Sequence, residues 1–395
     1  MTSDAPNLRF PEFQEEWKEE RLADIADLYK GTGISKDQLS DDGEPCILYG
    51  ELYTKYKSET IREVISKTNI NNTKLVRSKA NDVIIPCSGE TAEDIATARC
   101  VLNGNILLGG DLNIIRLHGY DGAFMSYQLN GRRKYDIAKV AQGVSVVHLY
   151  GEHMKGVKTI NPCLEEQKKI AKLLSLLDER IATQNKIIDK LQSLIKGINQ
   201  RVFMNNGINY KLGEVCEIRS GYSGNQLLSK KGLKVSRIET ISGHKVNLER
   251  VGYVASFESS ENYKLQVGDI LFSNINSVEY IGNTAFIDKD YDLYHGMNLL
   301  RLTPNNMVVI PFYLYLLLNT NRMLNRFKTV CNKAVSQASI NQTELGKTVV
   351  QIPSINTQEQ ICELYQALYT KLETESNTKS LFQNQKQYLL RQMFI

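Results

Sequence analysis

The chain has 395 residues, 42% of them hydrophobic and 23% charged, and a formal charge of +4. That length allows two or three cored domains, and the composition excludes a disordered or fibrous chain. So mild a basic balance permits a polyanionic partner without indicating one, so any nucleic-acid contact has to come from locally concentrated cations.

The opening stretch, MTSDAPNLRFPEFQEEW, lacks the basic-then-apolar layout of a signal peptide. Short apolar runs bounded by Gly, Asn and Ser predict strands at 47–49, 83–86 and 114–117. A helix is expected over 124–139. Residues 163–203 read as a single helix, roughly 60 Å long at 1.5 Å per residue. The pattern then restarts, with strands at 233–238, 270–272 and 299–302 and a helix at 311–329 that carries Pro311 in its first turn. A second long helix closes the chain, and Asn356 with Glu359 resembles a capping box at its start. The expected layout is a globule at 1–160, a helix at 161–205, a globule at 206–352 and a helix at 353–395. The longest apolar run, 308–318, is too short to span a bilayer. Seven cysteines without a C-x-x-C pair argue against a zinc site or a disulfide framework. A soluble cytoplasmic protein is expected.

The restart is a tandem repeat. RLADIADLYKG matches KLGEVCEIRSG, with Leu22 and Leu212 offset by 190. NDVII matches GDILF (Asp82 and Asp269), LNIIRL matches MNLLRL (Asn113 and Asn298), and FMSYQL matches FYLYLL (Tyr127 and Tyr315). Pro162 with Pro353 and Phe203 with Phe394 complete six landmarks whose offset stays between 185 and 191. Each match alone is weak; their shared order and spacing indicate a duplication.

Within the first long helix, Ile170, Leu174, Leu177, Ile181, Gln184, Ile188, Leu191, Ile195, Ile198 and Val202 step by alternating four and three. That is a coiled-coil seam with one polar member. The corresponding positions of the second helix include Ile361, Tyr365, Leu368, Leu372, Phe382, Leu389 and Met393, with Glu375, Lys379 and Lys386 as polar members. An antiparallel pair would set Gln184 close to Glu375 or Lys379, grouping polar positions in one register-fixing layer. The plainer reading packs each helix on its own globule as an amphipathic core helix.

Catalytic signatures are missing. Gly346-Lys347-Thr348 has Asn341 where a P-loop needs glycine, KGTGIS (30–35) does not continue as a dinucleotide fingerprint, and no N-P-P-[FY] amino-methyltransferase motif follows Asn161. The five histidines show no metal-ligand spacing. Polar loops follow the matched strands instead. CSGETAEDIATAR supplies Ser88, Glu90 and Arg99, and SNINSVEYIGNT begins just before Asn274 and Asn276. Such side chains can read base edges. Ser145, and Ser336 with Gln337, are further candidates from the matching GVS and AVSQ stretches. Cations recur after the Tyr landmark, Arg132, Arg133 and Lys134 in one copy and Arg322, Arg326 and Lys328 in the other, which suits phosphate contacts.

With repeat and helices in view, the chain resembles the specificity (S) subunit of type I restriction-modification systems over essentially its whole length. The resemblance rests on LRFPEF and LADI, on KLGEV restarting the second unit, and on GVSVVHLYGEHMKGVKTINPCLEEQKKIAKLLSLLDERI with its copy AVSQASINQTELGKTVVQIPSINTQEQI. The P-x4-Q-x2-I hinge occurs twice, as Pro162, Gln167, Ile170 and as Pro353, Gln358, Ile361. The resemblance implies an α+β fold of two tandem target-recognition domains separated by two long antiparallel coiled-coil helices. It further implies a non-catalytic chain without a cofactor of its own, reading a bipartite asymmetric site in double-stranded DNA. Two methyltransferase subunits would bring S-adenosylmethionine and methylate adenines; restriction/translocase subunits would bring ATP and Mg. The polar middle of the second helix, 374–380, departs from an even seam. The alternatives are a nuclease with the same readers and an unrecognised active site, or a coiled-coil scaffold without DNA contact.

Overall fold

A computed structural model describes residues 5–71, 74–143, 146–203, 207–333 and 337–395. The chain packs as two compact units, one formed by Met1–Ile187 with Glu375–Ile395 and the other by Ile188–Thr374. Their boundaries fall inside the two long helices, not at the helix starts.

In the first unit a five-stranded sheet runs in the order Ala26–Lys30, Leu112–Leu117, Asp82–Pro86, Arg99–Val101, Thr60–Ile61. All neighbours are antiparallel except the last pair. Every residue of the DVIIP strand is buried. Val83 and Ile85 point into a core with Trp17, Phe124 and Tyr127, while Ile84 points into a second core with Ile47, Leu52 and Ile114. With both faces covered, the strand reads as a continuous apolar run without alternation.

The second unit repeats this plan with four antiparallel strands, Cys216–Ser220, Leu299–Pro304, Ile270–Ser273 and Thr284–Phe286. Ile270 and Phe272 face one core and Leu271 another. A buried ion pair is duplicated with the sheet. Arg116 binds Asp82 through Nε and Nη2 (2.9 and 2.8 Å), and Arg301 Nε lies 2.9 Å from Asp269. Each aspartate also accepts the backbone N–H three residues before it, from Lys79 or Gln266 (both 2.7 Å).

The two expected mid-domain helices are each broken in two. The first is Gly122–Asn130 followed by Lys134–Val140, and Gly131 interrupts it. The second is Pro311–Leu318 followed by Asn321–Val330, where Asn319 closes one helix and Thr320 caps the next by accepting from the Met323 N–H. The strand expected over 233–238 stops at Val235, and Ile238–Ile241 forms a 3-10 turn.

The long helices are Leu164–Val202, here the central helix, and Ile355–Gln392, the closing helix. All twenty seam residues named above, the polar members included, are buried or half-buried. In the first unit Lys386 reaches Asp178 (2.6 Å), and Gln184 donates to the Glu375 side chain and carbonyl. In the second unit the Tyr365 hydroxyl meets Asn199. Rising numbers on one helix meet falling numbers on the other, so the pairing is antiparallel. The seam residues also enter the domain cores. Ile170, Leu174, Leu389 and Met393 pack with Trp17 and Phe124, and Ile195, Ile361 and Tyr365 pack with Phe272 and Tyr313. Helix pairing and domain packing are thus one core in each unit.

Candidate nucleic-acid interface

The polar loops after the matched strands each border a cleft. In the first unit, strand Ser88–Gly89 pairs with Val147–His148, and the short helix Glu51–Thr54 lies opposite. Between them a cleft of about 480 Å³ is lined by Tyr49, Tyr53, Ser88, Glu90, Asp94 and Val146. Thr91 caps the turn Ala92–Ile95: its Oγ1 accepts from the Asp94 N–H (3.1 Å) and its O–H donates to the Asp94 carboxylate (2.7 Å). Burial, aided by the Asp94 charge, pushes the Tyr53 hydroxyl well above its ordinary pKa.

The second unit carries a cleft at the matching position. Strand Ile275–Asn276 pairs with Ala338–Ser339, and the 3-10 turn Ile238–Ile241 stands where Glu51–Thr54 stands in the first copy. This cleft of about 150 Å³ is lined by Glu239, Ser242, Ser273, Asn276, Tyr280 and Asn283 among others. Asn276 donates to the Ser273 hydroxyl (3.1 Å) and accepts from the Ser277 N–H (2.8 Å). Gly282, with φ +84°, sits so close to Phe327 that a Cβ there would lie 2.6 Å from the ring.

The expected site residues divide accordingly. Ser88 and Glu90 line the first cleft and Asn276 the second. Asn274 is half-buried just before the strand Ile275–Asn276, its carbonyl accepting from the Ile340 N–H (2.9 Å), and Gln337 is exposed. Ser145 and Ser336 lie outside the described residues.

Arg99 faces away from the cleft. Its guanidinium donates to the carbonyls of Tyr56 and Ala98 (3.3 and 3.0 Å), and burial lowers its pKa while Glu59 and Asp178 oppose that shift. Arg132 donates to the Arg391 carbonyl (3.0 Å), and Arg133 reaches the Ile395 carbonyl (3.5 Å) and Asp136 (3.4 Å). Both therefore serve the end of the closing helix, where unpaired carbonyls and the negative dipole end favour cations. Lys134 is half-buried beside them, as is Lys328 on its helix. The structure does bring Arg322 and Arg326 together. With Lys196 of the central helix they line a pocket of about 360 Å³ at the start of helix Asn321–Val330, where Arg326 also donates to the Val349 carbonyl (3.1 Å).

Sequence reasoning missed Tyr49, Tyr53, Asp94, Lys196 and Asn283. The signal that could have found them is the repeat offset, which equates Glu51–Thr54 with Ile238–Ile241 around the two clefts. Among the described residues no group of three or more His, Cys, Asp or Glu is arranged to hold a metal ion, and no helix is long and apolar enough to cross a membrane.

The type I restriction modification DNA specificity domain matches this chain twice, over residues 14–193 and 207–381, one match for each copy of the repeat. The chain belongs to that family. Within the family, the chain is 37% identical over 188 residues to a Methanocaldococcus jannaschii specificity subunit assigned to the type I restriction enzyme MjaX. That similarity covers 47% of this chain and 44% of the relative, so the chain matches less than half the relative's length. The MjaVIII specificity subunit of the same organism is 24% identical, with 97% of this chain and 92% of the relative covered. The S subunit structure from M. genitalium superposes with a TM-score of 0.65 at 17% identity, covering 99% of both chains. A chain from a structural study of type I system assembly and conformational transition gives a TM-score of 0.57 at 16% identity, covering 96% of this chain and 97% of the other. This chain has the α+β architecture of two tandem target-recognition domains with two long antiparallel helices, and the two superpositions show the same fold.

Proposed function

We propose that this specificity subunit reads a bipartite, asymmetric sequence in double-stranded DNA, each unit reading one half-site. The observation that carries the reading is a cleft duplicated in position but not in chemistry: Tyr, Ser and the carboxylates of Glu90 and Asp94 line it in the first unit, and Asn, Ser, Tyr and the single carboxylate of Glu239 in the second. One fold used twice with different linings is what two unlike half-sites require. Phosphate contacts are assigned to the Lys196, Arg322 and Arg326 pocket, and the central and closing helices set the spacing between half-sites. On this reading the chain catalyses nothing. It docks two methyltransferase subunits that bring S-adenosylmethionine, and restriction/translocase subunits that use ATP and Mg, within the cytoplasm.

Methylome sequencing of a host with and without the gene tests the assignment. A two-part methylated motif that vanishes with the gene is the expected result; an unchanged methylome would remove it. Purified chain alone should leave DNA intact in the presence of magnesium, and cleavage there would favour a nuclease. Removing one heptad from the central helix should change the motif's spacer or abolish modification, and normal modification of the original motif would end the spacing role.

A further inference from the structure

The first cleft is weighted towards hydrogen-bond acceptors, with the Ser88 and Tyr49 hydroxyls able to donate as well. Glu90 is exposed and makes no hydrogen bond or ion pair among the described residues. Asp94 binds the Thr91 hydroxyl through Oδ2 and keeps Oδ1 for another donor. The Tyr53 hydroxyl is turned to the Ser88 carbonyl (3.4 Å). Among the described residues no lysine, arginine or histidine lines the cleft. A carboxylate at neutral pH accepts hydrogen bonds and donates none. Two of them without a cation repel phosphate and favour an N–H donor. Tyr49 and Val146, both exposed at the rim, add apolar surface for the flat side of a ring or a methyl group. In the major groove the base donors are the N4 amino group of cytosine and the N6 amino group of adenine; guanine and thymine present acceptors there.

The second cleft differs. Its carboxylate, Glu239, is drawn towards Arg237 (3.5 Å), and Asn276 and Asn283 both donate and accept. We propose that the cleft of Tyr49, Ser88, Glu90 and Asp94 takes a base edge bearing an exocyclic amino group, so that Glu90 reads the cytosine or the adenine of one base pair in the half-site of the first unit. This rests on the DNA-reading function proposed above and names the chemistry of one of its half-sites.

The test is methylome sequencing of hosts carrying the native chain, Glu90→Gln or Asn276→Ala, each with the partner subunits of the system. Glu90→Gln should relax one position of one half-site, discrimination there falling by roughly 5- to 150-fold, with the other half-site and the spacer kept. Asn276→Ala should act on the opposite half-site. The native base pair at the relaxed position separates the two amino-bearing edges: a C·G pair assigns N4 and an A·T pair N6. An unchanged motif, relaxation confined to the other half-site, or equal relaxation of both half-sites overturns the proposal. If Glu90→Gln abolishes methylation, the purified complex is assayed for binding to duplexes carrying each of the four bases at every position of that half-site. Equal weakening on all of them overturns it, and loss confined to the native base pair at one position supports it. A host in which the native gene adds no motif defeats the DNA-reading function itself, a result distinct from these.

Discussion

Gln358 accepts a hydrogen bond from the Ile310 N–H (2.8 Å) and donates to the Val308 and Pro353 carbonyls (3.1 and 2.9 Å), fastening the closing helix to the helix that begins at Pro311. Gln167 repeats the clasp in the first copy. It accepts from the Asp121 N–H (2.9 Å) and donates to the Pro162 carbonyl (2.8 Å). Both side chains are buried, Gln358 at 0% exposure and Gln167 at 1%. This is the physical content of the recurring Pro-to-Gln spacing.

Gln358→Ala should therefore destabilise the second unit by about 3 kcal/mol, because buried main-chain groups lose their partners. Its thermal transition should fall by roughly 5–10 °C. Gln358→Glu should be equally harmful, since a carboxylate cannot donate to the two carbonyls. Calorimetry showing native melting for either variant would contradict the clasp.

Lys386 is buried between Glu59 (2.5 Å) and Asp178 (2.6 Å), and Asp178 also accepts from the Tyr127 hydroxyl (2.6 Å). Burial already pushes the Glu59 carboxyl above its usual value, with Lys386 opposing the shift. Lys386→Met should cost about 3–5 kcal/mol at neutral pH by leaving buried carboxylates unpaired. With Glu59 raised in the folded state, that loss should shrink as pH falls and the carboxyl takes up a proton. Urea midpoints of native and variant chains compared at two pH values would show the convergence; a constant gap would refute it.

His295 is held at 1% exposure with Nε2 3.0 Å from the Leu299 carbonyl, and burial pushes its pKa from 6.5 down to about 4. The imidazole is neutral in the folded unit, so the unfolded chain binds the proton first. Its contribution to stability is complete above about pH 6.5 and drains as pH falls towards 4, by about 3 kcal/mol in total. His295→Gln should flatten the pH dependence of the second unit's stability in that window, and an unaltered slope would exclude His295 as its source.

Arg132→Ala with Arg133→Ala should loosen the end of the closing helix by about 1–2 kcal/mol and leave the salt dependence of DNA binding unchanged. Lys196→Ala with Arg322→Ala should instead reduce that salt slope by about 2. Titrations at several salt concentrations read both, and a flattened slope for the first pair would return it to the DNA surface.

The repeat, the seam and the Gln184–Glu375 contact were legible because periodicity and spacing record packing directly. Gly131 and Thr320 were not read as breaks, although the polar runs Asn-Gly-Arg-Arg-Lys (130–134) and Asn-Thr-Asn-Arg (319–322) carry the signal. The cation cluster at Arg132 and Arg133 meets a related limit: charge in a sequence does not reveal whether it faces a phosphate or the carbonyls of a distant helix end, which both residues reach here. Both clefts combine segments some forty residues apart, such as Tyr49 with Ser88, and no local pattern brings those together.

The groups that Gln167 and Gln358 grip at the globules, the Asp121 and Ile310 amides and the Pro162, Pro353 and Val308 carbonyls, all belong to the main chain. A fastening of that kind is indifferent to the loop chemistry of whatever it holds. A foreign globule set between the same proline and glutamine landmarks would keep that grip, and would have to bring its own apolar partners for the seam residues that now meet Trp17 and Phe124, or Phe272 and Tyr313.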